Sequence, residues 1–169
     1  MAERKRISGT DNIEYEGFFD LKKTFKVLID WFTERGYERH DQLNAHNAME
    51  SGNEMSLYLI FFKKISDYAK VQIDIFISVY NAKDIEVQVD KHKERMQQGK
   101  IKLSFDCFLI TDYENKWESQ PMMFFLRTVF DKFFFKIYTY HYEEEAREDG
   151  REAMHEVKSF LNLHKYLAA

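Results

Sequence analysis

The sequence predicts an α+β fold, with an antiparallel meander sheet of four to five strands and an N-terminal helix and a long C-terminal helix on one of its faces. The clearest evidence is residues 71–80, where apolar side chains alternate so that one face of the strand is wholly apolar and the other is mixed. Apolar residues also recur at helical spacing on either side of the strand-rich region. By analogy, this order of layers is helix-grip-like.

Composition narrows the class of protein. A chain of 169 residues is one domain by the usual length expectation. With 44% apolar and 32% charged residues, it is expected to be globular and soluble. The net charge of −4 argues against a general nucleic-acid binder. The single cysteine, Cys107, excludes an intramolecular disulfide and fits a reducing compartment, and no secretory leader is recognised, so we expect a cytoplasmic protein.

The N-terminus differs in composition from the rest of the chain. Residues 1–12 are predicted to be a flexible basic tail, and residues 13–169 a single α+β domain. The basic residues of the tail are Arg4, Lys5 and Arg6. Such a tail is either simply solvated or an arm that contacts an acidic partner.

The first predicted helix covers residues 20–35. The carboxylate of Asp20 can accept the free amide hydrogens of its first turn, and Gly36 suits the left-handed residue that ends a helix. One apolar stripe at helical period consists of Leu21, Phe25, Leu28 and Phe32.

Strands are predicted at 37–44, 55–64, 67–80, 85–90 and 100–113. The four residues 81–84 are interpreted as a tight connection, and the charged stretch 91–99 as a loop or one helical turn. Connections this short make neighbouring strands antiparallel.

The last third of the sequence is predicted to be helical. A helix from about 120 to 145 is indicated by Ser119 as its cap and Pro121 in its first turn. A break or kink is expected near Gly150, followed by a second amphipathic stretch. Four charged residues within 122–140 argue against a membrane span, so no membrane contact is expected.

The sheet face opposite the apolar strand face is the predicted partner-binding surface. Its large apolar residues are Tyr58, Ile60, Phe62, Phe76, Tyr80, Phe108 and Ile110. A contiguous patch of that kind marks an interface, a ligand groove, or a surface covered by another element of the same chain. Asp74 and Asp106 lie on the same face as possible cross-strand neighbours. They are interpreted as solvated charge that limits aggregation, with a carboxylate pair of raised pKa as the alternative.

Catalytic and metal-binding motifs are not found. The sequence contains no HExxH, no GxSxG and no glycine-rich phosphate loop, so no catalytic, cofactor-binding or metal-ligating residue is predicted. His141 and Glu145 have the spacing of a helical chelate but are better explained as a solvated helix end. Cys107 is expected to be an inert core thiol.

Several segments resemble small uncharacterised archaeal proteins of DPANN-type genomes. They are Tyr15–Leu21 leading to Trp31 and Gly36-Tyr37, Asp67–Val71, Lys83–Val87, Gly99–Ile101, Asp112–Glu114 and Lys116-Trp117. The resemblance spans most of residues 14–136. It implies an archaeal type of source and the same order of α and β elements, but it implies no catalytic activity.

These observations predict a non-catalytic interaction protein, acting as a subunit of a homo-oligomer or a larger assembly such as a particle or virion. The alternative is a helix-grip domain that binds an apolar small molecule between the sheet and the long helix. An enzyme using such a cavity is a third option, which no motif supports.

Overall fold

The computed structural model describes residues 3–7, 11–49, 52–89, 92–113 and 136–167. In these ranges the chain is α+β, with six strands and two helices, which confirms the predicted class. The elements are β1 (Glu3–Arg6), β2 (Asp11–Phe19), α1 (Leu21–Glu34), β3 (Glu38–Met49), β4 (Gly52–Lys64), β5 (Ala69–Val89), β6 (His92–Thr111) and α2 (Lys136–Leu167).

All of the strands belong to one antiparallel sheet in the order β1-β6-β5-β4-β3. Strands β3 to β6 follow one another as neighbours, which confirms the predicted meander. β2 also pairs with β6, along the part of that strand that β1 leaves free. The two N-terminal strands therefore share one edge of the sheet, while β3 forms the other edge.

The prediction of a flexible tail over residues 1–12 is wrong for β1 and for the start of β2. Glu3 lies opposite Thr111 and Arg6 opposite Phe108, so β1 is hydrogen-bonded to β6 along its whole length. Composition was misleading because a backbone ladder forms regardless of side-chain charge. The carboxylates that pair with these basic side chains are distant in sequence.

The hairpin of β5 and β6 is longer than predicted. Residues 81–84 are not a connection but continue β5, with a bulge between Tyr80 and Lys83. Asn81 has a φ of 54°, in the left-handed region that asparagine tolerates. Residues 92–99 are likewise part of β6 and not a loop or helical turn.

The core lies between one sheet face and both helices, as predicted. The alternating residues of β5 that face it are at most 3% exposed: Val71, Ile73, Ile75, Ile77 and Val79. The matching residues of β6 are buried in the same cluster: Ile101, Leu103, Phe105, Cys107 and Leu109. The same cluster includes Leu28 and Phe32 of α1 and Val157 and Leu161 of α2, together with residues of β2 and β4. The opposite surface of the sheet is called the outer face below.

Both predicted ends of α1 are confirmed. The amide of Lys23 donates to Oδ1 of Asp20 at 3.0 Å, which satisfies one of the free donors of the first turn. Gly36 has a φ of +78°, the left-handed conformation in which glycine carries no steric cost.

Helix α2 runs without interruption past Gly150, so the predicted break is wrong. The glycine is explained by close packing, because a Cβ built there would lie 2.9 Å from Sγ of Cys107. The predicted helix start near Ser119 and Pro121 lies outside the described residues.

Candidate interaction surface

All seven predicted partner-binding residues lie on the outer face. Residues paired across neighbouring strands share a face, and Tyr58 lies opposite Phe76 while Ile110 lies opposite Lys70. Gln72 of β5 lies between Phe62 of β4 and Phe108 of β6 and places these two on the same face as well. The strand period then adds Ile60 and Tyr80.

Exposure divides this set into two parts. Phe76 and Tyr80 are 45% and 39% exposed, which is unusual for aromatic residues on a central strand. Ile60 and Ile110 are buried, and Tyr58, Phe62 and Phe108 are half-buried. The solvent-accessible aromatic surface of the outer face therefore consists mainly of Phe76 and Tyr80. We call these two residues the aromatic patch.

Charged residues border the aromatic patch on one side. Lys100 lies opposite Tyr80, and Lys102 lies opposite Ser78, the next residue of β5 on the same face. Both ammonium groups contact the Glu14 carboxylate, at 3.0 and 3.1 Å. Hydrogen bonds from these two lysines lower the pKa of Glu14. An apolar centre beside a charged border is the usual composition of a protein interface.

The two aspartates of the outer face are cross-strand partners, as predicted, but Asp74 is not solvated. Asp74 lies opposite Asp106 and is only 5% exposed. Its Oδ1 accepts from Nε2 of Gln72 at 2.7 Å, and its Oδ2 accepts from the Tyr58 hydroxyl at 2.5 Å. Burial, followed by this hydrogen bond to Asp74, raises the pKa of Tyr58, so the phenol remains a donor at neutral pH.

Strand β1 supplies the positive charges that offset both aspartates. Arg4 forms an ion pair with Asp74, and Arg6 forms one with Asp106. The Arg4 side chain extends across β6 to reach Asp74, and its guanidinium lies 3.6 Å from the centroid of the Phe108 ring. Sequence reasoning identified these residues only as a basic tail. The signal it missed is the alternate spacing of the two arginines, which places both on one face of a strand.

The intervening residue of β1 points to the other side of the sheet. Nζ of Lys5 lies 2.8 Å from Oε1 of Glu143 on α2. The three basic side chains of β1 therefore fasten the strand to both faces of the sheet, through charge and with little apolar burial.

A second polar cluster lies on the helix side, where α1 ends. The Tyr37 hydroxyl donates to Oδ2 of Asp149 at 2.8 Å. Arg35 contacts the Glu152 carboxylate at 3.0 Å and approaches Asp149 at 3.8 Å. Burial raises the pKa of Asp149 above its ordinary value and, together with Asp149, that of Tyr37. Nothing in the sequence signals this pairing, because 112 residues separate Tyr37 from Asp149.

This cluster yields a prediction on pH dependence. Because the folded chain holds the Asp149 proton more tightly than the unfolded chain, stability from this group is greatest below about pH 4. It is lost as the pH rises through the raised pKa. The free energy of unfolding of the wild type, relative to Asp149→Asn, should therefore fall between about pH 3.5 and pH 7.

Urea unfolding at several pH values would measure this difference. Glu152→Gln is the matched control, since it removes an exposed carboxylate that contacts the same Arg35. A wild-type-minus-Asp149→Asn difference that stays constant over the range would contradict the prediction.

Two cavities in the described part of the chain bear on small-molecule binding. One beside Tyr37 measures about 130 Å³ and is also lined by Lys63, Ile65, Tyr142 and Glu145. This is below the several hundred Å³ typical of ligand pockets. The other, about 500 Å³, lies between the start of α1 and the β5–β6 hairpin. Its lining is charged and polar: Asp20, Lys22, Asp84, Glu86, Arg95 and Gln97, together with Ile85. Neither is the aromatic cavity that the alternative prediction requires.

The described residues contain no group of three or more His, Cys, Asp or Glu side chains arranged to hold a metal ion. Cys107 is buried on the core side of β6. Among the described helices, none combines the length and the apolar character that a membrane crossing needs. Comparison of the chain with protein-family models, with curated proteins and with solved structures finds no match.

Proposed function

We propose that this chain is a non-catalytic subunit that associates with copies of itself through the outer face of its sheet. The observation that carries the proposal is the exposure of Phe76 and Tyr80, 45% and 39%, beside half-buried aromatic neighbours. Aromatic side chains are enriched in the centres of protein interfaces, where they bury much area at little entropic cost.

The arrangement around the aromatic patch supports binding over chemistry. Asp74 is already satisfied by three donors, from Arg4, Tyr58 and Gln72. Both of its carboxylate oxygens are thus already engaged by groups of the same chain. The single, buried cysteine supports a reducing compartment, and we propose the cytoplasm.

The test compares the mass in solution of the wild type and of Phe76→Ser/Tyr80→Ser with the monomer mass of 20.5 kDa. We expect the wild type to exceed the monomer mass and the double variant to return to it, because the variant removes the apolar area that association buries. Sedimentation velocity over a range of concentrations would measure both.

Tyr140→Ser is the matched control. Tyr140 is 69% exposed on α2, so its change removes an even more accessible aromatic ring outside the aromatic patch. A wild type that stays at the monomer mass at every concentration would refute the proposed self-association. An unchanged mass for the double variant would refute the assignment to the aromatic patch.

A further inference from the structure

We propose that Asp74 and Asp106 form a receptor for an extended Arg-x-Arg segment, and that the occupant in the assembly is β1 of a second copy of this chain. The inference rests on the proposed self-association and adds its means, a reciprocal exchange of N-terminal strands. Every copy carries both the strand and the receptor, so an exchange between two copies closes without leaving either site empty.

The receptor is complementary to a strand in three respects. The edge of β6 from Phe108 to Thr111 offers backbone groups for a four-residue ladder. The carboxylates of Asp74 and Asp106, on neighbouring strands, pair with Arg4 and Arg6. The Phe108 ring supports the guanidinium of Arg4 at 3.6 Å. Strand addition of this kind combines main-chain hydrogen bonds with side-chain specificity.

The position of Asp74 in the receptor does not depend on β1. Asp74 lies on β5, a central strand paired on both sides, and is also held by Tyr58 and Gln72. A site whose side chains are positioned by the rest of the sheet can accept the same segment from either chain.

The strand itself is held by contacts that are easy to exchange. β1 has four residues, and Arg4, Lys5 and Arg6 are all exposed in part, with side chains 45%, 60% and 48% accessible. β1 brings little apolar surface into the core, so its backbone ladder and these ion pairs are the main contacts that hold it in place. The contacts are the same in an exchanged pair, so exchange changes the free energy little.

The position of the receptor favours a second copy as the source of the strand. Asp74 is two residues from Phe76 on the same face, and its partner Tyr58 lies opposite Phe76. The receptor and the aromatic patch are therefore contiguous. A copy bound at the aromatic patch would lie beside this receptor, and we therefore infer that its N-terminal strand is the one that enters the receptor.

Complementation between two full-length variants tests the exchange. Arg4→Glu/Arg6→Glu keeps the receptor but has a strand that the aspartates repel, and Asp74→Asn/Asp106→Asn keeps the strand but lacks the receptor charges. Each variant alone is expected at the monomer mass of 20.5 kDa. An equal mixture is expected to form pairs containing one chain of each kind, which native mass spectrometry identifies. Circular dichroism verifies that each variant is folded.

Lys5→Glu is the matched control, with the same charge change on the same strand but directed to Glu143; it should associate as the wild type does. Variants that each associate like the wild type would overturn the exchange and leave the proposed self-association intact. A mixture that stays monomeric would also overturn it, since the arginines and aspartates then pair only within one chain. A wild type that never exceeds the monomer mass would overturn both.

Discussion

Phe32→Ala should lower the free energy of unfolding by about 3–5 kcal/mol, the usual loss for a fully buried aromatic residue. Phe32 is 0% exposed and joins α1 to the sheet. Its ring stacks on that of Phe61 in β4, with centroids 4.3 Å apart and planes inclined by 18°. Edge contacts to Trp31 and Tyr37 surround it further. Removal of the ring leaves a cavity between these three aromatic neighbours.

Urea unfolding with an unchanged m-value would measure the loss. Phe25→Ala on the same helix is the control, because Phe25 is only half-buried and should cost less. A double-mutant cycle with Phe61→Ala should give a coupling of about 0.5–1.5 kcal/mol, the value of an aromatic pair beyond its buried area. A loss from Phe32→Ala no larger than that from Phe25→Ala would contradict the packing described.

Gly150→Ala should destabilise the chain, although alanine in an ordinary helix interior is better than glycine by about 1 kcal/mol. The added Cβ would lie 2.9 Å from Sγ of Cys107, closer than real Cβ contacts. Overpacking of this kind costs about 1–3 kcal/mol. The expected net change is therefore a loss of about 1 kcal/mol, with α2 pushed away from β6.

The decisive measurement is the same substitution in a Cys107→Ala background. Without the sulfur, the close contact disappears, so Gly150→Ala should there stabilise the chain by its helix propensity alone. The sign of the effect should thus reverse between the two backgrounds, which thermal unfolding of the four chains would measure. A stabilising effect in both backgrounds would mean that α2 does not approach β6 as closely as described.

Local periodicity was sufficient to predict the layers of this fold. The alternation from Val71 to Val79 identified the core face of the sheet, and the stripe ending at Phe32 identified the face of α1 that meets it. The ends of α1 were also predictable, since Asp20 and Gly36 act through bonds and angles within one turn. The same alternation placed all seven predicted residues on the outer face.

Exposure on that face was not predictable. Phe76 and Phe108 have the same pattern in the sequence, yet Phe76 is exposed while Phe108 lies beneath Arg4. Gly150 was expected to break a helix, and only its distance to Cys107 explains its presence. The charged residues 91–99 were expected to form a loop or a helical turn. Instead, the backbone ladder between β5 and β6 continues through the described part of this segment.

The sequence by itself determined the central strands, α1 and which of their faces is apolar, because those properties repeat within a few residues, whereas β1 and β2 were not predicted. Only the tertiary structure decided how the charges are paired. Arg4 and Asp74 are 70 residues apart, and Tyr37 and Asp149 are 112 apart. Such pairs come together only after the chain has packed. They explain why the basic N-terminus is an edge strand and why Asp74, which was expected to be solvated, is buried.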